Sequence, residues 1–216
     1  MTTPGAVLWD LDGTIVDTEP LWMAQEAELA AEHGVEWTQQ DGLALVGNAL
    51  ITSAEYIRER IGSDLRPEQI VERLVGRLAD SLRGTIPWRP GARELIEALD
   101  EAGVPQALVT MSYAEIAEPV AQALPFGAVV TGDSVTHGKP HPEPYLRAAQ
   151  MLGVDPARCL AIEDSATGAA SAEAAGCLVL AVPHMVDIPL TPRRVARDGL
   201  GGVDVQALRS LWADHA

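Results

Sequence analysis

A doubly wound, parallel α/β sheet interrupted by a purely helical block is the architecture this sequence predicts. Three observations carry that expectation. From residue 92 to residue 182, short apolar runs bounded by turn residues alternate with helical patterns. Alternation of that kind builds parallel sheets whose strands are buried on both faces. One further apolar run stands alone at 6–9, and residues 18–83 hold no convincing strand pattern.

The lone run, Ala6 to Trp9, reads as a short buried strand and ends in Asp10-Leu11-Asp12-Gly13-Thr14. Asp and Gly are ordinary turn residues. Two carboxylates one residue apart at the end of a buried strand are nevertheless costly. Burial or mutual proximity neutralises one of them unless a cation or hydrogen bonds hold both ionised. The strand context therefore favours a functional reading of Asp10 and Asp12.

A helix follows over 19–33, with Trp22, Leu29 and several alanines on one side. Glu26, Glu28 and Glu32 are expected in water, and Gly34 is placed to end the helix. Helices are also expected at 53–61 and 67–82. The second opens with Pro67 in its first turn and repeats Ile70, Val71, Leu74, Leu78 and Leu82 at helical spacing. Pro87-Trp88-Arg89-Pro90-Gly91 is stiff punctuation, after which the alternation begins. Helices at 92–102, 114–123, 143–152 and 167–175 lead to strands at 107–110, 128–131, 159–162 and 178–182, and a last amphipathic helix lies at 205–212. The expected division is a Rossmann-like core from 1–17 and 88–216, with a helical insertion at 18–87.

Charge and composition narrow the function classes. Acidic residues outnumber basic ones 31 to 15, a net charge of −16. Such a field repels nucleic acid and anionic membranes, so neither is an expected partner. It repels phosphorylated metabolites too, unless a local cation inverts it. No uncharged apolar stretch approaches the ~18 residues of a membrane span. Cys159 and Cys177 flank separate strand-like runs. With no secretory signal before Asp10, a cytoplasmic protein with reduced thiols is expected, as a monomer or weak dimer.

Ligands of doubly wound sheets sit beyond the carboxyl ends of the strands, and the chemistry-bearing residues fall there. The second strand ends in Thr110-Met111-Ser112, whose hydroxyls suit either helix capping or donation to a phosphate oxygen. The third is followed by Gly138-Lys139-Pro140-His141-Pro142. A lysine held between turn residues suits fixing a charge, here balancing an anion beside the carboxylates. The fourth ends in Glu163-Asp164-Ser165. Asp10, Asp12 and Asp164 together offer hard oxygen ligands for Mg²⁺. The five histidines show no metal-binding spacing, and His141 is read as part of the turn after Lys139.

Taken in order, Asp10-Leu11-Asp12-Gly13-Thr14, Thr110, Lys139 in Gly-Lys-Pro and Glu163-Asp164 resemble the four motifs of the haloacid dehalogenase superfamily. Asp17-Thr18-Glu19-Pro20-Leu21-Trp22, Pro90-Gly91, the run from Lys139 to Tyr145 and the run from Glu163 to Gly168 extend the likeness to its beta-phosphoglucomutase-like branch. That branch inserts a helical cap after the first motif, where the helical block lies.

The resemblance implies Asp10 as the nucleophile, forming an aspartyl-phosphate. It implies Asp12 as the acid for the leaving alcohol and then the base for water. Thr110, Ser112 and Lys139 would hold the phosphoryl oxygens. Mg²⁺ would bind the side chains of Asp10 and Asp164 and the backbone carbonyl of Asp12, with Glu163 in support. Three activities compete: a phosphatase for a small phosphorylated metabolite such as a sugar or polyol phosphate, a sugar-phosphate mutase, and a dehalogenase. A catalytically silent binding protein of the same fold is the alternative from another class. Related mutases carry a histidine five residues after the position of Asp17, where this chain has Trp22. Hydrolysis is favoured accordingly. In the loop Leu45-Val46-Gly47-Asn48, relatives commonly place a basic residue after the glycine. The neutral Asn48, expected to contact substrate, argues against a second phosphate or an acidic substrate tail.

Overall fold

A computed structural model describes residues 3–45, 50–185 and 187–215 of the chain. It divides into two compact units, Met1–Asp17 with Pro87–Ala216, and Thr18–Ile86.

Among its described residues, the regular elements of the second unit are all helices: α1 (Glu19–Glu32), α2 (Gln39–Leu43), α3 (Leu50–Ile61) and α4 (Pro67–Gly84). Gly34, at φ +70°, follows the end of α1. Ile70, Leu74, Leu78 and Leu82 of α4 are buried, as their spacing predicts. The short α2 has no apolar periodicity to betray it. It is held by a reciprocal cap in which Asp41 N donates to Thr38 Oγ1 at 3.2 Å and Thr38 N donates to Asp41 Oδ2 at 2.8 Å.

Glu26 departs from expectation. It is buried, 5% exposed, and its Oε2 has no hydrogen-bond partner. Burial, reinforced by the charge of Glu19, pushes its carboxyl up to about 8. An amphipathic pattern assigns faces only on average, and one glutamate on the boundary of the apolar face went inward. The folded state therefore holds a proton on Glu26 that the unfolded chain releases near 4.5. Its contribution to stability is complete below that value and is lost as pH rises towards about 8. Glu26→Gln is expected to stabilise the protein by about 1–3 kcal/mol at pH near 8, and far less near pH 5. Urea unfolding at both pH values checks this, and an equal gain at the two would mean that Glu26 does not titrate abnormally.

Among the described residues the first unit carries six strands: β1 (Ala6–Trp9), β2 (Gln106–Val109), β3 (Ala128–Val130), β4 (Cys159–Glu163), β5 (Leu178–Ala181) and β6 (Arg194–Ala196). Its helices are α5 (Ala92–Glu101), α6 (Ala114–Ala123), α7 (Glu143–Leu152), α8 (Ala166–Ala174) and α9 (Val205–His215). All neighbouring strands are parallel, in the order β3-β2-β1-β4-β5-β6. Leu8 of β1 sits opposite Ala107 on one side and Ala161 on the other.

Side chains alternate across the sheet. Leu8, Val109 and Val179 join a core with Tyr145 and Ala148 of α7 and Ala169 of α8. On the opposite face, Trp9 Nε1 donates to Gln106 Oε1 at 2.9 Å, and Gln106 Nε2 donates to the Ile96 carbonyl of α5 at 2.9 Å. A buried polar pair is tolerated there because both groups are satisfied. The edge strand β6 has no apolar run to announce it, since only Val195 of its three residues is strongly strand-forming. Arg194 is buried there and forms a two-pronged pair with Glu173, both bonds at 3.0 Å. Cys159 and Cys177 are buried free thiols. Among the described residues no helix is long and apolar enough to cross a membrane.

Candidate active site

In this strand order the succession from β1 to β3 runs one way and β4 returns to the other side of β1. The carboxyl ends of β1 and β4 therefore flank the point where the order reverses, the usual ligand crevice of such sheets. Asp10 follows β1, and its backbone N–H donates to the Ile162 carbonyl of β4 at 3.0 Å. The chain then folds back on itself, with Ile15 N and Val16 N both donating to the Leu11 carbonyl. Gly13 takes φ +83° in this turn, and a Cβ there would overlap the Asp164 carboxylate. Glycine thus provides both the backbone conformation and the close approach.

Lys139 is the hub. Its side chain is 5% exposed, and Nζ donates to Asp10 Oδ1 at 2.7 Å, Glu163 Oε1 at 2.6 Å and the Val109 carbonyl at 2.9 Å. An ammonium has three protons, so all are committed to the protein. Lys139, expected to balance an anion beside the carboxylates, binds the carboxylates themselves. Burial works against its charge, but Asp10 and Glu163 more than offset this and hold the ammonium above its ordinary range.

Glu163 is fully buried and also accepts from Tyr145 OH at 2.7 Å and Ser165 Oγ at 3.0 Å. Gly168 allows it to lie against α8, since a Cβ there would overlap the same carboxylate. Tyr145 and Ser165 had no assigned role in the sequence. A tyrosine in the first turn of a helix gives no sign, on its own, of the acid it will meet.

Asp12 is turned towards the end of β2. Its Oδ2 accepts from Ser112 Oγ at 2.7 Å and Thr110 Oγ1 at 3.1 Å, while Ser112 N donates to Thr110 Oγ1 at 2.9 Å. Both hydroxyls reach the site, as expected from their strand-end position, but their protons orient Asp12. Asn48 lies outside the described residues.

The acidic cluster has the character of a cation site. One carboxylate oxygen from each of Asp10, Glu163 and Asp164 lies within 4.8 Å of the others. Asp10 Oδ2 is buried with no hydrogen-bond partner. Burial and the charge of Glu163 push the Asp10 carboxyl up to about 7, with Lys139 opposing. Burial and the charges of Asp10 and Glu163 push Asp164 up to about 9. Three carboxylates against one ammonium leave excess negative charge, which a divalent cation with hard oxygen ligands would relieve.

Residues 4–176 match the haloacid dehalogenase-like hydrolase family. The chain belongs to that family. As a haloacid dehalogenase-like hydrolase it is an enzyme, and it falls in the beta-phosphoglucomutase-like branch. Hexitol phosphatase B of Escherichia coli (strain K12) is 32% identical to it over 193 residues, covering 85% of this chain and 86% of that protein. Hexitol phosphatase A of the same organism is 37% identical over 191 residues, 84% of each chain. The crystal structure of CbbY from Rhodobacter sphaeroides in complex with phosphate is 25% identical, with a TM-score of 0.80 over 93% of this hydrolase and 96% of that chain.

Proposed function

We propose that this hydrolase is a Mg²⁺-dependent phosphatase of small phosphorylated metabolites, sugar and polyol monophosphates foremost, acting through an aspartyl-phosphate on Asp10. The observation that carries the reading is Asp10 itself. One oxygen is pinned by Lys139, and the other is buried, partnerless and beside Glu163 and Asp164. Likeness to the hexitol phosphatases supports the substrate class.

Asp10, Glu163 and Asp164 would hold the cation, with the main-chain carbonyl of Asp12. When bound, Mg²⁺ supplies the positive charge that lets an anionic phosphomonoester approach this cluster. Asp10 forms its bond to phosphorus as the ester P–O bond breaks. Asp12, oriented by Thr110 and Ser112, gives a proton to the departing alcohol. It then takes a proton from the water that attacks phosphorus, which releases inorganic phosphate and restores Asp10. Lys139 opposes protonation of Asp10 and aims its carboxylate. The tryptophan at position 22 supports release of phosphate over transfer to a second sugar hydroxyl. The neutral Asn48 supports a leaving group without charge.

The test is phosphate release from hexitol phosphates, hexose monophosphates and an aryl phosphate, with Mg²⁺ and after chelation. Turnover is expected only with the metal and fastest on the polyol or sugar esters. Full activity in metal-stripped buffer would overturn the reading, and conversion to an isomeric sugar phosphate would make the protein a mutase.

A further inference from the structure

The loop that delivers Lys139 carries a second constellation which the catalytic reading leaves unused. His137 and His141 bracket Gly138-Lys139-Pro140, and Glu143 opens α7 two residues later. The two imidazole rings lie 4.5 Å apart, centre to centre, tilted by 33°. His137 Nδ1 is 2.9 Å from Glu143 Oε2, and Glu143 N donates to His141 Nδ1 at 3.3 Å. One ligand atom from each of the three lies within 4.8 Å of the others. Spacing by itself hid this, because the turn through Pro140 and Pro142, not a helix or strand, brings the rings together.

We propose that His137, His141 and Glu143 form a second metal site, separate from the acidic cluster and suited to a borderline ion such as Zn²⁺. Two imidazoles and a carboxylate are the donor set of zinc sites with an open position, whereas Mg²⁺ prefers oxygen throughout and keeps its waters. Zinc–nitrogen bonds of about 2.0–2.1 Å in a tetrahedron place neighbouring ligand atoms about 3.3 Å apart. The observed separations need only side-chain rotation to reach that. Both histidines are exposed, so an ion can enter and the rings can turn.

The backbone beneath them is already fixed. Thr136 N and His137 N donate to the Glu143 carboxylate at 2.7 and 2.9 Å, and Ser171 Oγ of α8 donates to the His141 carbonyl at 2.6 Å. Lys139 N donates to Met111 Sδ at 3.2 Å. A cation between the rings would replace the His137–Glu143 hydrogen bond with two metal bonds and clip the loop on both sides of Lys139. The net charge of −16 favours a cation's approach.

Calorimetric titration of the intact protein with Zn²⁺ in saturating Mg²⁺ tests this, since Mg²⁺ fills the oxygen cluster first. One equivalent is expected to bind with low-micromolar affinity, and Co²⁺ in its place should give the absorption of a tetrahedral nitrogen–oxygen site. H137Q/H141Q should bind Zn²⁺ more than ~100-fold more weakly, because even the outer partners of metal ligands are worth roughly 10–100-fold. Asp164→Asn should bind it as wild type does. No binding tighter than millimolar, or binding that survives H137Q/H141Q and disappears in Asp164→Asn, would overturn the proposal.

Discussion

Asp10→Asn is expected to lower kcat/KM by at least ~10⁴-fold, the scale of losing a catalytic nucleophile, while leaving the protein as stable as wild type or more so. Both halves follow from the same geometry. The asparagine oxygen can still accept from Lys139 Nζ, as Asp10 Oδ1 does at 2.7 Å. The second oxygen, buried and partnerless, is replaced by an amide that cannot attack phosphorus. The Asp10 carboxyl stands at about 7 in the folded state against 3.8 in its ordinary state. Its contribution to stability is therefore complete below about 4 and is lost as pH rises to about 7. Removing the carboxyl should raise the melting temperature near pH 8 and change it little near pH 4. It also takes away one of the charges that push Asp164 up. A variant that kept a tenth of wild-type turnover would remove Asp10 from the nucleophile's place. A variant that unfolded at every pH would show that the carboxylate is needed for the fold.

Lys139→Met should lower kcat/KM by roughly 10²–10³-fold, the scale of losing one preorganised electrostatic donor. It should also destabilise the protein by about 3–5 kcal/mol at pH near 8, the cost of removing one partner from a buried ion pair. Methionine fills similar space but leaves Asp10 and Glu163 without their shared cation. The lysine's folded value lies above its ordinary 10.5. Its stabilising contribution is thus present throughout the range below 10.5 and is lost as pH rises through the folded value. In the variant the carboxylates can escape by protonation, so the deficit should shrink as pH falls towards 5. Lys139 also lowers the Asp10 carboxyl, so the acid limb of the kcat/KM profile should move to higher pH. Kinetics across pH and urea unfolding at two pH values check both arms. A uniform loss of rate with an unmoved acid limb would show that Lys139 does not tune Asp10.

Composition and periodicity determined most of the strands and helices, α2 and β6 excepted. β1, α6 and α7 begin and end at Ala6–Trp9, Ala114–Ala123 and Glu143–Leu152, where the pattern places them. Four consecutive apolar residues between turn signals have few alternatives to a buried strand. The acidic, hydroxyl and lysine residues at strand ends were legible for the same reason: a parallel sheet sends every strand's carboxyl end to one edge. Tertiary structure decided who meets whom along that edge. Because β4 lies beside β1, Glu163 and Asp164 close on Asp10. Lys139, expected to face an anion, spends its three protons on Asp10, Glu163 and Val109. Thr110 and Ser112 turn to Asp12, about a hundred residues away in the chain. Glu26 is buried, and His137 and His141 meet across a turn. A hydrophobic pattern reports that a face will be covered but not by which element. The partner of a polar side chain is set by strand order and register, through contacts that local sequence does not encode.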